Sequence, residues 1–428
     1  MNESFLHYIW QYQYFDKTDL QTQEGELVSI FKTGVLNTNA GPDFSQAKIK
    51  IGTIEWVGNV EIHTKSSEWL NHKHSSDKAY ENVILHVVWE NDVEIKRGDG
   101  SIIPAMELKG RVEEGLIKAY KKLINSPASI PCEKSFPAVN DLIKLSMLDQ
   151  ALMQRLEDKA EIVHQLVKSN NGDWEETAYQ LLLKNFGFKI NAEPFLQLAK
   201  SLPYKVIQKH SSNLPQMEAL LFGQAGMLET KTKDEYISLL YREYEFLSKK
   251  YSLYESRLNP AQWKFLRLRP ANFPTLRIAQ LSSILYAKKN LLSSFIGADS
   301  YEQLMNFFNA SPSAYWQTHY HFAKKSKALV PDLGESSKQN LLINTIVPLL
   351  VAYSKAKDDA RLMERAVEIL QHIPAEVNKI TKVWATLGVS IKSAFDSQAL
   401  IEQYNNLCQK RQCLNCAVGA SLLKPQWK

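Results

Sequence analysis

Residues 56–65, Trp56-Val-Gly-Asn-Val-Glu-Ile-His-Thr-Lys65, decide how the first quarter of the chain is read. Side chains on a strand alternate between faces, so Glu61, His63 and Lys65 share one side and Val60, Ile62 and Thr64 the other. Working outward, GELVSIFKTG (25–34), SQAKIKIG (45–52), NVILHVVWE (82–90) and SIIPAMELK (101–109) are also short and rich in Val and Ile. Gly, Asn and Asp clusters separate them, which is the pattern of strands joined by turns. Asn91-Asp92 and Gly98-Asp99-Gly100 read as turns, the second closing a hairpin before Ser101. A helix is predicted over Ser4 to Tyr14 and a shorter one around Asp77 to Glu81. The resulting order is helix, three strands, short helix, more strands, an α+β domain with Trp56–Lys65 as a central strand. A polar stripe on such a strand means either solvent or a site.

After Arg111 the periodicity becomes helical and stays so. Helices are predicted over Leu145–Val167, Asp234–Lys250, Lys338–Lys355, Asp359–Leu370, Ala375–Leu387 and Ser393–Leu407. Asp173-Trp-Glu-Glu176 reads as a capping box, and Pro215 and Pro274 suit a helix's first turn. No repeat of fixed period is present. The expected division is an α+β domain over 1–111 and an all-α region over 112–428, joined near Arg111–Asn125 or at the Pro-bearing Ser126–Ala138.

A chain of 428 residues buries a sizeable core without disulfides. Its net charge of +5 is small for that length and interspersed, permitting a nucleic-acid partner without requiring one. The N-terminal MNESFLHYIWQYQYF lacks a basic cluster and a secretory pattern. The longest apolar run, Leu341–Tyr353, is interrupted by Asn344, Thr345 and Pro348, so no membrane span is expected. The reading is cytoplasmic, and the oligomeric state stays open.

Asp43 follows a Gly-Pro turn in Asn39-Ala-Gly-Pro-Asp-Phe44, ahead of Glu61 by one strand. With Glu61-Ile-His63 this resembles the PD-(D/E)xK nuclease superfamily. That resemblance implies a restriction-endonuclease-like mixed sheet in which Asp43 and Glu61 hold Mg²⁺ or Mn²⁺. It also implies a metal-dependent nuclease or phosphodiesterase, since a hard cation lowers the pKa of bound water and neutralises phosphate charge. The family's lysine position is His63 here, with Lys65 on the same face as the alternative positioning group; Glu24 or Glu26 is the candidate third acid. The departure keeps a noncatalytic adaptor with a degenerate nuclease-like domain as the rival expectation.

His72, His74 and Asp77 follow at once, and His86 lies on the next strand. Imidazoles with a carboxylate suit Zn²⁺ or Mn²⁺ better than Mg²⁺, so a transition-metal hydrolase with His63, His72, His74 and Asp77 as ligands is a further expectation. The competing view makes His72-Lys-His74 a solvated loop and His86, between Leu85 and Val87, a satisfied core residue.

Four cysteines occur: Cys132, then Cys408, Cys413 and Cys416 in C-x4-C-x2-C spacing. Three in nine residues suggest Zn²⁺ or a cluster rather than disulfides, against the alternative of reduced thiols in a basic loop. The arrangement is similar to that of helicase-associated PD-(D/E)xK nucleases, which implies a [4Fe–4S] cluster if Cys132 meets the trio. Arg267, Arg269 and Arg277 surround a Pro-Ala-Asn-Phe-Pro turn that could face phosphate or simply anchor loops, and Tyr315–His321 is aromatic enough to stack bases or to pack. Taken together, GPDF, GNVEIH, EWLNHKHSSD, NFGFKINAEPF, EALLFGQAGML, RLRPANFPTLR, LLINTIVPLL and CLNCAVG resemble, over nearly the full length, a bacterial family of unknown function. That resemblance implies no reaction.

Overall fold

A computed structural model describes residues 1–228 and 233–424. Two compact units emerge, one formed by 1–147 with 403–428 and the other by 148–402. This differs from the expected division at residue 111. The helix Glu114–Ile124 places Leu116, Tyr120 and Leu123 in the same core as the sheet, and Cys413 and Leu423 join that core from far along the chain.

In the first unit, helix α1 (Glu3–Tyr12) is capped by the Asn2 side chain, which accepts from Phe5 N–H at 3.1 Å. It buries Phe5, Leu6, Ile9 and Trp10. The strands are β1 (Val28–Lys32), β2 (Val35–Leu36), β3 (Phe44–Ile51), β4 (Ile54–Lys65), β5 (Val83–Glu90) and β6 (Ala105–Glu107). Their spatial order is β1-β3-β4-β5-β6, with β2 on β3. β1, β3 and β4 are antiparallel; β5 and β6 run parallel to β4. The crossover from β4 to β5 carries α2 (Glu68–Asn71) and two 3₁₀ turns, His74–Ser76 and Lys78–Tyr80, where the sequence predicted one short helix. The domain is therefore mixed α/β with a mixed sheet.

The alternation expected along β4 does not hold. Val60, Glu61, Ile62 and His63 are all buried, while Ile54 to Val57 are exposed. The inner half of β4 is covered on both faces: Val60 and Ile62 pack with Phe5 and Ile9 of α1, and Trp69 leads a second cluster with Val83, Ile95 and Ile103. Gly58 marks where β4 meets β5. A Cβ there would lie 2.4 Å from Ile84 Cγ2 and 2.8 Å from the Asn82 carbonyl oxygen, so a side chain would push the parallel pair apart.

Among its described residues the second unit is helical apart from a hairpin, His319–His321 with Lys324–Lys325. Pro215 and Pro274 sit in the first turns of Leu214–Gln224 and Pro274–Ala287, as expected. Both helices are buried nearly all round, which suits the interior of a bundle. Asp173 caps Trp174–Phe186 through Glu175 and Glu176 N–H, but no box forms: the Glu176 carboxylate accepts instead from Tyr204 N–H and Gln180. The predicted helix over 338–355 contains a π-turn, Leu342–Ile346, directly before Pro348, whose ring carries no N–H to continue an α ladder. No described helix is long and apolar enough to cross a membrane.

Candidate metal centre

Asp43 stands just before β3, where Gln46 adopts a left-handed φ of 57° and the β3–β4 register shifts between Phe44 and Ala47. The bulge turns the head of β3 toward the middle of β4. There the two carboxylates lock reciprocally. Ile62 N–H donates to Asp43 Oδ2 at 2.9 Å, and Asp43 N–H donates to Glu61 Oε2 at 3.1 Å.

Glu61 and His63 are 4% and 1% exposed, so neither is a solvated stripe. Glu61 Oε1 faces His74 Nε2 at 3.3 Å and His63 Nε2 at 3.6 Å. His63 Nε2 also lies 3.2 Å from His72 Nδ1, while its Nδ1 lies 2.8 Å from His86 Nε2. Donor nitrogens of His63, His72 and His74 all fall within 4.8 Å of one another. His74 is held by stacking on Tyr80, with ring centroids 3.8 Å apart, and both it and His86 lie edge-on or tilted against Trp69. His72 is exposed, so the cluster opens to solvent on that side.

Burial and the neighbouring Asp43 charge push Glu61 up to about 9. Burial, then the other imidazoles, push His63 down to about 4 and His86 down to about 3. The Glu61 carboxyl and the His63 and His86 rings are therefore neutral near pH 7, and the Glu61 contacts are not ion pairs. His86 Nδ1 is buried with no hydrogen-bond partner, while His7 Nε2 and His74 Nε2 face carboxylate oxygens of Asp43 and Glu61. Three imidazole nitrogens converging within 4.8 Å beside a carboxyl are the donor set that a borderline cation such as Zn²⁺ or Mn²⁺ takes, and the residues fit such an ion. His86 then has a role that the core reading missed: it fixes the tautomer of His63 from behind.

The remaining predicted residues lie elsewhere. Asp77 accepts from Ala79 N–H at 2.9 Å as the cap of a 3₁₀ turn and is outside the three-histidine group. Lys65 is exposed at the end of β4, and Glu24 and Glu26 are exposed before β1. In the second unit Arg267 and Arg269 are exposed, whereas Arg277 is buried and bonded to Asn272, Gln280 and Ser337 over the Phe188 ring. The aromatic segment packs: Trp316 is fully buried and stacked on Phe222. Cys132, Cys408, Cys413 and Cys416 are free thiols, all within the first unit.

Sequence reading passed over two residues. His7 brings Nε2 to 3.2 Å from Asp43 Oδ2, and the Glu68 carboxylate accepts from the Thr64 and Lys65 N–H groups. A histidine on the buried side of a predicted amphipathic helix was the available signal for His7. Glu68 carried none.

Comparisons with curated proteins and with solved structures give no match. Residues 3–379 match the family described as Protein of unknown function (DUF2851), and the chain belongs to that family.

Proposed function

We propose that the first unit is a metal-dependent phosphodiesterase of nuclease type, with His63, His72 and His74 as ligands of a transition-metal ion beside Glu61 and Asp43. The convergence of three imidazoles on a buried carboxyl pair carries this reading. The helix, antiparallel β1-β3-β4 run, crossover and parallel β5 supply an order compatible with a restriction-endonuclease-like core. A bound divalent ion would activate water and neutralise phosphate charge. The chain's own part is orientation and proton custody. His86 holds the His63 ring, Tyr80 holds His74, and Glu61, protonated near neutrality, would give its proton to solvent if a cation were held beside it.

One observation favours a second reading, a noncatalytic metal-binding adaptor. The position where the resemblance implies lysine is His63, and Lys65 is exposed. One experiment separates the two. Full-length protein loaded with Zn²⁺ or Mn²⁺ is incubated with single- and double-stranded DNA and RNA, beside His63→Ala, His74→Ala and Asp43→Ala. The expected outcome is cleavage that depends on metal and falls at least ~100-fold in each variant. Metal uptake without cleavage selects the adaptor, and unaltered metal uptake by His63→Ala and His74→Ala ends both readings.

A further inference from the structure

The four cysteines come from two distant segments that the first unit folds together. The second segment is bent by a π-turn over Gln403–Cys408, a departure from α geometry that recurs at ligand sites. Gln403 Nε2 donates to Cys416 Sγ at 3.1 Å and lies 3.9 Å from Cys408 Sγ, so one amide nitrogen reaches two sulfurs. Backbone N–H groups of Val418 and Gly419 also donate to Cys416. Gly419 is sterically required here, because a Cβ would lie 2.0 Å from the Cys413 carbonyl oxygen.

Arg411 joins the two segments. Its Nη1 donates to the Cys408 carbonyl at 3.2 Å and its Nη2 to the Ser126 carbonyl at 2.8 Å, in the stretch leading to Cys132. Cys132 is held by its own turn, its carbonyl accepting from Ser135 and Phe136 N–H at 2.9 and 2.8 Å. The four thiols lie within electrostatic reach of one another: Cys408 of Cys416, Cys132 and Cys413, and Cys132 of Cys416 and Cys413.

Spacing selects the kind of centre. A single tetrahedral ion with bonds of about 2.3 Å needs sulfurs roughly 4 Å apart. Among the described residues the donor groups drawn within 4.8 Å of one another comprise the three histidines and no cysteines. A four-iron cubane is larger and holds its four thiolates at separate corners, wider apart than one ion does. We infer that Cys132, Cys408, Cys413 and Cys416 ligate a [4Fe–4S] cluster, with Gln403 and the Val418 and Gly419 N–H groups donating to its sulfur ligands. Such donors are the means by which a protein tunes a cluster's potential. The site is independent of the histidine centre and does not rest on the phosphodiesterase reading.

The full chain, produced with iron and sulfide supply and purified without oxygen, gives the test. Expected are the broad visible absorption of an iron–sulfur centre, bleached by a chemical reductant, and iron and acid-labile sulfide at about four each per chain. Cys132→Ser and Cys413→Ser should each lose most of both with far-ultraviolet circular dichroism unchanged, whereas His63→Ala should keep both. Gln403→Ala should retain the cluster and lose it faster in air. Wild-type protein that is colourless, or that holds about one zinc per chain, overturns the inference. Full iron and sulfide in both cysteine variants overturns it equally. Should the variants be insoluble, Mössbauer spectra of the wild type still decide whether a cubane is present.

Discussion

Each unit buries a polar cluster, and the two are finished differently. In the helical unit Lys159 Nζ donates to Asn344 Oδ1 at 3.0 Å, Gln398 Oε1 at 3.3 Å and the Ile343 carbonyl at 3.4 Å. Arg155 donates to Gln398 Oε1 at 2.6 Å and pairs with Glu402 at 3.3 Å. Both cations have acceptors, and the network ties Lys159 and Arg155 to the π-turn Leu342–Ile346 and to Ala394–Glu402. In the sheet unit, by contrast, histidine nitrogens are packed against one another and His86 Nδ1 is left without a partner. An unpartnered buried nitrogen costs about 1–3 kcal/mol, a penalty that a fold retains where a ligand will later meet it.

The sharpest way to break this contrast is Arg155→Ala, which removes the part-buried salt bridge to Glu402 and the hydrogen bond to Gln398 together. A loss of about 3 kcal/mol in urea unfolding is expected; a loss below about 1 kcal/mol would make the helical network no more than a surface contact. Next in size is the ligand effect at the histidines. Zn²⁺ or Mn²⁺ at about a hundredfold over its dissociation constant should stabilise the wild type by about 2.7 kcal/mol in thermal melts, and His63→Ala should show no such gain.

A smaller effect belongs to Lys159, which burial, ahead of the nearby Arg155 charge, pushes down to about 7. Below pH 7 the folded and unfolded chains both carry the proton and the burial penalty is in full force. As pH rises from about 7 toward the ordinary lysine range, the folded chain sheds its proton first, so stability should increase. Urea midpoints at pH 7 and pH 9 should separate in the wild type and converge in Lys159→Met. Asp173→Ala, which touches neither cluster, should cost about 1 kcal/mol as a lost helix cap and sets the scale.

Much of the first unit was legible because Val- and Ile-rich runs bounded by Gly and Asn are local signals. α1, β3, β4 and β5 fall within two residues of their predicted bounds. The faces of β4 were not legible: alternation cannot reveal that α1 covers one side and Trp69 the other. Asp43, Glu61 and His63 stood out through the nuclease resemblance and His63, His72 and His74 through their clustering, yet Asp77, equally near in sequence, is spent on capping Ala79. Choosing between those two fates needs the turn geometry around Lys73, whose φ is 60°. His7 and His86 depend on tertiary packing for their roles. The π-turns at Leu342–Ile346 and Gln403–Cys408 carry no periodic signature that distinguishes them from α-helix.

The discontinuity of the first unit has a consequence for biosynthesis. A ribosome releases residues 1–147 and then the whole of 148–402 before Cys413 and Leu423 emerge to complete the sheet unit's core. The nascent N-terminal segment must therefore wait, with Tyr8 lacking the Ala420 carbonyl that its hydroxyl will later reach at 3.1 Å. Translation that stops within the helical unit leaves the sheet domain unfinished rather than independently folded. Quality-control proteases should then clear such fragments quickly, so that the catalytic candidate matures only after the inserted helices have been made.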